Sequence, residues 1–163
     1  MSHITARSKL TRALLAVAVL VFAARAGRAQ QTLGFHGGVS INPEQAVAGA
    51  YWQSPPLAGP LAIRGGFDSG MGDDEWVGTI NLDLVFGLRL GKSPLSVVQG
   101  GGPVIAFNHK DSAPFRSEND TAVGAGYMIA LVHDKGFYAL LRASGGGDVP
   151  KVKFLFGWAI RLN

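Results

Sequence analysis

Large apolar side chains occupy every second position near the end of the chain, from Val152 to Leu162. Most of the positions between them hold basic or small residues, among them Lys153 and Arg161. Because successive side chains of a strand point to opposite sides, this alternation predicts a β-strand with one apolar face. That face is unbroken and rich in aromatic residues, which is typical of a strand that contacts lipid. Its residues are Val152, Phe154, Phe156, Trp158, Ile160 and Leu162.

Seven further segments of strand-like sequence precede this one, and turn-forming residues separate them. Eight strands can close into a barrel filled by side chains, and lengths of roughly 8 to 15 residues bracket the 9–11 tilted residues that cross a bilayer. The sequence therefore predicts an all-β fold, an eight-stranded antiparallel up-and-down transmembrane β-barrel. The seven segments are Thr32–Ile41, Gln45–Ser54, Pro60–Ser69, Glu75–Arg89, Leu95–Phe107, Thr121–Val132 and Phe137–Ser144.

Residues 1–29 are predicted to be a secretory signal peptide, which leaves residues 30–163 as the barrel domain. The basic segment Arg7–Arg12 precedes the apolar run Ala13–Ala24, and Gly27-Arg28-Ala29 then supplies small residues before a cleavage point. The apolar run has 12 residues. A spanning helix needs about 20, so a retained membrane anchor is only the alternative interpretation.

The distribution of charge argues against a nucleic-acid partner. The whole chain carries a net charge of +4, but residues 1–29 hold five basic residues and no acid. The remainder holds 10 basic and 11 acidic residues, a net charge of −1, so it lacks the basic surface that nucleic acid requires. The chain has no cysteine, which excludes disulfides and a lipid attached to an N-terminal cysteine.

Charged residues within the segments share the side opposite to the apolar face. A Lys or Arg that faces lipid costs about 2–4 kcal/mol at the bilayer midplane, so these charges are expected to point into the barrel. Charges enclosed there must pair, and Asp83 or Asp68 is the expected partner of the cations on the last two strands. The predicted internal ion-pair cluster comprises Arg64, Asp83, Arg142 and Lys153. The side chains predicted to face lipid are Trp76, Phe86, Phe154, Phe156 and Trp158.

The cluster is interpreted as structural filling, with a gated proton or ion path as the alternative.

In the fifth segment, Gly100–Pro103 interrupts the alternation and predicts a β-bulge, because proline cannot donate to a ladder. With both termini in the periplasm, every second connection should be short and periplasmic, as the one at Leu90–Pro94 is. The longest polar interval, Asn108–Asp120, then falls on the external side.

By strand number and pattern, residues 30–163 resemble the small eight-stranded outer-membrane barrels of the OmpA/OmpX type. Gly157, Ile160 and Leu162 match the spacing of the assembly signal in the last strand of that family, although Asn163 follows where the family usually has an aromatic residue. The resemblance implies a monomer in the outer membrane of a double-membraned bacterium, after removal of the signal peptide. It also implies contact with outer-membrane lipids and the barrel-assembly machinery, and a structural or surface-interaction role with a filled lumen.

The sequence offers no set of residues for catalysis, a cofactor or a metal. His36 is expected inside the barrel, and His109, with Asp111 and Ser112 nearby, lies in the external interval without an established serine–base geometry. Asp73-Asp74-Glu75 lacks the spaced ligands of a calcium loop. Two alternatives stay open: a soluble periplasmic lipocalin-like barrel that binds a small hydrophobic ligand, and a lipid-modifying barrel enzyme. The first would reverse the orientation of the two faces.

Overall fold

The structure, a computed structural model, describes residues 31–72, 75–111 and 117–162, so the predicted signal peptide lies outside the described residues. No helix in these ranges is long and apolar enough to cross a membrane. Eight β-strands follow one another along the chain. They are β1 (Gln31–Ile41), β2 (Gln45–Gln53), β3 (Leu61–Met71), β4 (Glu75–Arg89), β5 (Leu95–Asp111), β6 (Ser117–His133), β7 (Phe137–Gly145) and β8 (Val152–Leu162).

The strands form one closed sheet in which each pairs antiparallel with its neighbours in the chain, and β1 pairs with β8. The predicted eight-stranded antiparallel up-and-down barrel is thereby confirmed. We call the end where β1 begins and β8 ends the terminal end, and the other the distal end. Closure leaves no free edge along the body of the barrel, since β1 and β8 are paired from Gln31↔Leu162 to Ile41↔Val152.

Two strands are longer than the sequence pattern predicts. β5 continues to Asp111 and β6 begins at Ser117, because the two strands pair with each other as far as Asp111↔Ser117. The alternation of apolar residues stops earlier, near Phe107, since the extension projects beyond the end of β7 and needs no apolar face. Backbone pairing, not burial of side chains, therefore sets the length of this hairpin.

The β-bulge predicted in β5 is wrong. Asn81 pairs with Val104 and Leu84 with Gly101, so the register between β4 and β5 is the same on both sides of Pro103 and no residue is inserted. The ladder omits the pairs between these two positions, which accommodates a proline without an N–H. Gly102 allows the close approach, because a Cβ there would collide with the backbone of β4.

The inward side chains form apolar groups above and below a charged layer. The larger apolar group includes Tyr51, Val85, Met128, Tyr138 and Leu155. The smaller one lies at the distal end, where Val149 of the β7–β8 connection packs on Val77, Val104, Ala106 and Ala122. Asn108 Nδ2 donates to the backbone oxygen of Asp148 over 3.1 Å, which holds this connection across the distal end of the barrel.

Candidate functional site in the barrel interior

Asp68, on β3, is the centre of the polar contacts inside the barrel. Its Oδ2 accepts from Lys153 Nζ over 2.7 Å, and its Oδ1 lies 2.8 Å from His36 Nε2. Thr79 Oγ1 and Asn81 Nδ2 each donate to Oδ2 over 3.2 Å. Asp68 and Lys153 are each only 3% exposed. A buried carboxylate with this many donors is stabilised in its charged form by hydrogen bonds as well as by the opposite charge.

A second ion pair lies beside the first. The Arg142 guanidinium on β7 contacts Asp83 Oδ2 on β4, and Arg142 Nη1 donates to Asn81 Oδ1 over 2.8 Å. Asn81 therefore links the two pairs, because its amide nitrogen donates to Asp68 while its oxygen accepts from Arg142. Asp83 Oδ1 has no hydrogen-bond partner among the described residues.

Arg64 is held differently from the other buried cations. It stands opposite Asp83 in the β3–β4 register. Its guanidinium nevertheless donates to Gln53 Oε1, with distances of 3.1 Å from Nε and 2.7 Å from Nη2. Nη1 lies 3.3 Å from Met128 Sδ, and the guanidinium carbon is 4.1 Å from the centre of the Tyr51 ring. Neutral acceptors and an aromatic face thus surround this charge.

The four residues of the predicted cluster all lie inside the barrel and are buried, but they do not form one cluster among themselves. Arg142 meets Asp83, whereas Lys153 meets Asp68 and Arg64 contacts no carboxylate in the part of the chain that the structure describes. Sequence reasoning did not give His36, Thr79 or Tyr138 a place in this network. The sequence shows that these residues lie on the inward parity of their strands. Parity alone does not show which side chains meet across the interior.

His36 and Tyr138 extend the network toward the terminal end. His36 Nδ1 lies 2.9 Å from Tyr138 Oη, which donates to the backbone oxygen of Phe35 over 3.2 Å. Tyr138, His36 and Asp68 place a hydroxyl, an imidazole and a carboxylate next to one another in space, in the order found in a nucleophilic triad. The His36 side chain is only 4% exposed, and the phenol is bonded to the backbone. The set is therefore packed among interior side chains instead of opening to a substrate.

His109 and His133 lie at opposite ends of the barrel. His109 Nδ1 lies 2.7 Å from Asn119 Oδ1 on the β5–β6 extension, and Ser112 lies outside the described residues. His133 Nδ1 accepts from the backbone N–H of Lys135 over 3.0 Å at the β6–β7 turn. Within residues 31–72, 75–111 and 117–162, no group of three His, Cys, Asp or Glu residues could hold a metal ion.

The outer surface of the barrel carries large exposed apolar side chains on seven of its eight strands, and the outward residues of β2 are Ala46, Ala48, Ala50 and Trp52. Its large exposed apolar side chains all lie on the outward parity of strands, except Leu57 and Leu90 in connections. Of the residues predicted to face lipid, Phe154, Phe156 and Trp158 point outward and are exposed, Phe156 by 66% and Trp158 by 56%. Trp76 and Phe86 lie on the outward parity and are half-buried.

No protein-family model matches the sequence, and no curated protein matches it either. Solved structures do match the fold. The N-terminal β-barrel domain of Pseudomonas aeruginosa OprF is similar with a TM-score of 0.68 and 10% identity, over 82% of this chain and 97% of that one. Ail, the attachment invasion locus protein of Yersinia pestis, gives a TM-score of 0.59 and 12% identity, over 82% and 97% of the two chains.

A major outer membrane protein from Thermus thermophilus is similar with a TM-score of 0.50 and 11% identity, over 83% of this chain and 100% of that one. At such low identities the likeness concerns architecture. The chain shares the fold of these structures, and its own barrel has eight strands. The class of fold inferred from the strand pattern is thus confirmed.

Proposed function

We propose that this chain is an outer-membrane β-barrel protein with a structural or surface-interaction role and no catalytic activity. The single observation that carries the proposal is the division of side chains between the two faces of a closed sheet. The outward face is apolar and aromatic, whereas Arg64, Asp68, Asp83, Arg142 and Lys153 are buried inside. A closed barrel with this arrangement satisfies its backbone and places its charges away from lipid, which are the two requirements of a membrane-spanning sheet.

The same division disfavours the soluble alternative. A lipocalin-like barrel turns apolar side chains inward to bind its ligand and presents polar side chains to water. Here the interior holds two ion pairs joined by Asn81, and the apolar side faces outward on most strands. Soluble monomers rarely expose contiguous apolar patches larger than a few hundred Å². An outward surface of this kind therefore supports a lipid environment.

The contacts inside the barrel support a lumen filled by side chains and not an open channel. The Asp68 and Asp83 pairs cross the middle of the lumen, and the connection that carries Val149 packs over its distal end. We place the terminal end in the periplasm, because the long β5–β6 hairpin projects at the opposite end, and outer-membrane barrels carry their longer extensions on the external side. The β5–β6 extension then projects from the external surface, where it would offer a surface for interaction. We further propose a monomer that is inserted by the barrel-assembly machinery after removal of residues 1–29.

Fractionation of cells that express the full chain tests the location. We expect recovery in the outer-membrane fraction and a change in gel migration between unheated and boiled samples, because a closed barrel resists unfolding by detergent at room temperature. Recovery in the soluble periplasm without detergent would refute the membrane proposal.

An arginine scan of the outward face gives a sharper test. Phe67→Arg, in the middle of β3, should destabilise the inserted barrel by about 2–4 kcal/mol, whereas Leu88→Arg, one residue from the end of β4, should cost about 0–1 kcal/mol. Both side chains are about half exposed, so the two variants differ mainly in depth. Heat-modifiable migration and membrane yield measure the effect. Equal tolerance of both variants would contradict the proposed lipid contact.

A further inference from the structure

A groove runs along the outside of β7 from the terminal end toward the middle of the barrel. Two adjoining hollows, of about 350 and 620 Å³, share Leu131, Ala139 and Phe156 as lining residues. Ala139 forms the floor, because this small outward residue stands between the larger side chains of Leu131 on β6 and Phe156 on β8. The strands on both sides of β7 thus provide the walls.

The groove has the length and lining expected for one lipid chain. Phe137 and Trp158 lie at its terminal end, with ring centroids 5.0 Å apart, and Leu141 and Phe154 lie at its inner end. From Phe137 to Leu141 the strand rises about 13 Å, at about 3.3 Å per residue. On a strand tilted by about 40°, this length covers about 10 Å of depth, which lies within the roughly 15 Å of a single leaflet.

The mouth of the groove carries positive charge. His133 lines it, and Lys135 is exposed in the adjoining turn. The acid of the turn, Asp134, pairs with Arg89 at 2.9 Å, so Lys135 has no carboxylate partner within the described residues. An exposed ammonium beside an apolar channel is a point charge suited to a phosphate oxygen.

The turn that carries these groups is fixed against the wall of the groove. Gly136 has a φ of 96° and donates its N–H to the oxygen of His133 over 2.8 Å. Its own oxygen accepts from the N–H of Ala159 over 2.8 Å, so the turn is tied to β8. A Cβ at position 136 would collide with the indole of Trp158. The cationic mouth and the aromatic wall therefore keep one relative position.

We propose that this groove is a binding site for an anionic phospholipid of the periplasmic leaflet. One acyl chain lies over Ala139 between Leu131 and Phe156, and the phosphate lies against Lys135, with His133 beside it. The proposal rests on the membrane location argued above, and it adds a preference for one class of lipid. The anionic headgroup follows from the unpaired Lys135, since an apolar groove alone would accept the chain of any lipid.

Quenching of Trp158 fluorescence by brominated lipids tests the site. Trp52→Phe and Trp76→Phe leave Trp158 as the only tryptophan of residues 31–162 and keep the groove intact. The variant is reconstituted in vesicles of phosphatidylcholine that contain either brominated phosphatidylglycerol or brominated phosphatidylcholine. We expect phosphatidylglycerol to quench Trp158 with a relative association constant at least threefold above that of phosphatidylcholine.

Matched variants locate the preference. Ala139→Phe should abolish it by filling the floor, whereas Ala48→Phe, at an exposed outward position on β2, should leave it unchanged. Lys135→Gln should reduce the ratio toward one, whereas Lys151→Gln removes the same charge at the distal end and should not. Equal quenching by the two lipids, or a preference that survives Ala139→Phe and Lys135→Gln, would overturn the site and leave the membrane location intact. Absence of quenching by either lipid would overturn both proposals.

Discussion

Asp68→Asn tests whether the buried polar network stabilises the barrel. The substitution keeps the shape of the side chain but removes the charge that Lys153 meets at 2.7 Å and that His36 meets at 2.8 Å. The new amide also replaces an acceptor with a donor, where Thr79 and Asn81 already donate. Lys153 would then be a buried cation without a carboxylate.

The expected loss follows from the burial of both partners. Removing one member of a buried ion pair costs about 3–5 kcal/mol, because the remaining charge is left without compensation. Asp134→Asn provides a control with the same chemical change, since its pair with Arg89 is exposed by 41% and 62% at the two side chains. An exposed pair contributes about 0–1 kcal/mol. The double variant Asp68→Asn/Lys153→Met should recover much of the loss, because it removes both charges.

The measurement is guanidinium unfolding in detergent micelles, followed by tryptophan emission and by heat-modifiable migration. The unfolding free energies of the unsubstituted protein, Asp68→Asn, Lys153→Met and the double variant form a cycle that isolates the coupling. A loss for Asp68→Asn no larger than that for Asp134→Asn would show that the network contributes nothing to stability. A double variant as unstable as the sum of its single variants would show that Asp68 and Lys153 act independently.

Two further changes test close packing and hydrogen bonding. Gly38→Ala should destabilise by about 1–3 kcal/mol, because its Cβ would press into the backbone of β8, whereas Gly65→Ala, whose Cβ meets open space, should be neutral in the same unfolding assay. Comparable costs for both would refute the steric argument. Tyr138→Phe should lose about 1–3 kcal/mol, since it leaves the buried His36 ring nitrogen without its contact at 2.9 Å. Tyr127→Phe, which removes an exposed hydroxyl, should change stability by less than about 0.5 kcal/mol, and an equal effect of the two would contradict the role of the buried bond.

The alternation of side chains was sufficient to predict the fold, because parity is a local property of each strand. Phe154 and Phe156 therefore face outward, and Lys153 inward, as the sequence indicates. The partner of Lys153 does not lie on a strand next to β8. In the ladder it stands beside Ser40 and Arg142, but its ammonium reaches Asp68 on β3 across the interior. The curvature of a closed barrel brings such strands together, and pairing between neighbours does not reveal it.

The balance of buried charge explains the environment of Arg64. Among the described residues, three buried cations, Arg64, Arg142 and Lys153, share the interior with two buried carboxylates, and Arg64 is the cation that neutral groups hold. A lysine concentrates its charge on one strongly hydrated nitrogen, and Lys153 accordingly meets Asp68 and Thr79 at 2.7 Å each. A guanidinium is planar and more weakly hydrated, so it can lie over an aromatic ring and donate to an amide at the same time. Arg64 does both, over Tyr51 and toward Gln53, which makes it the cation best suited to the position without an acid.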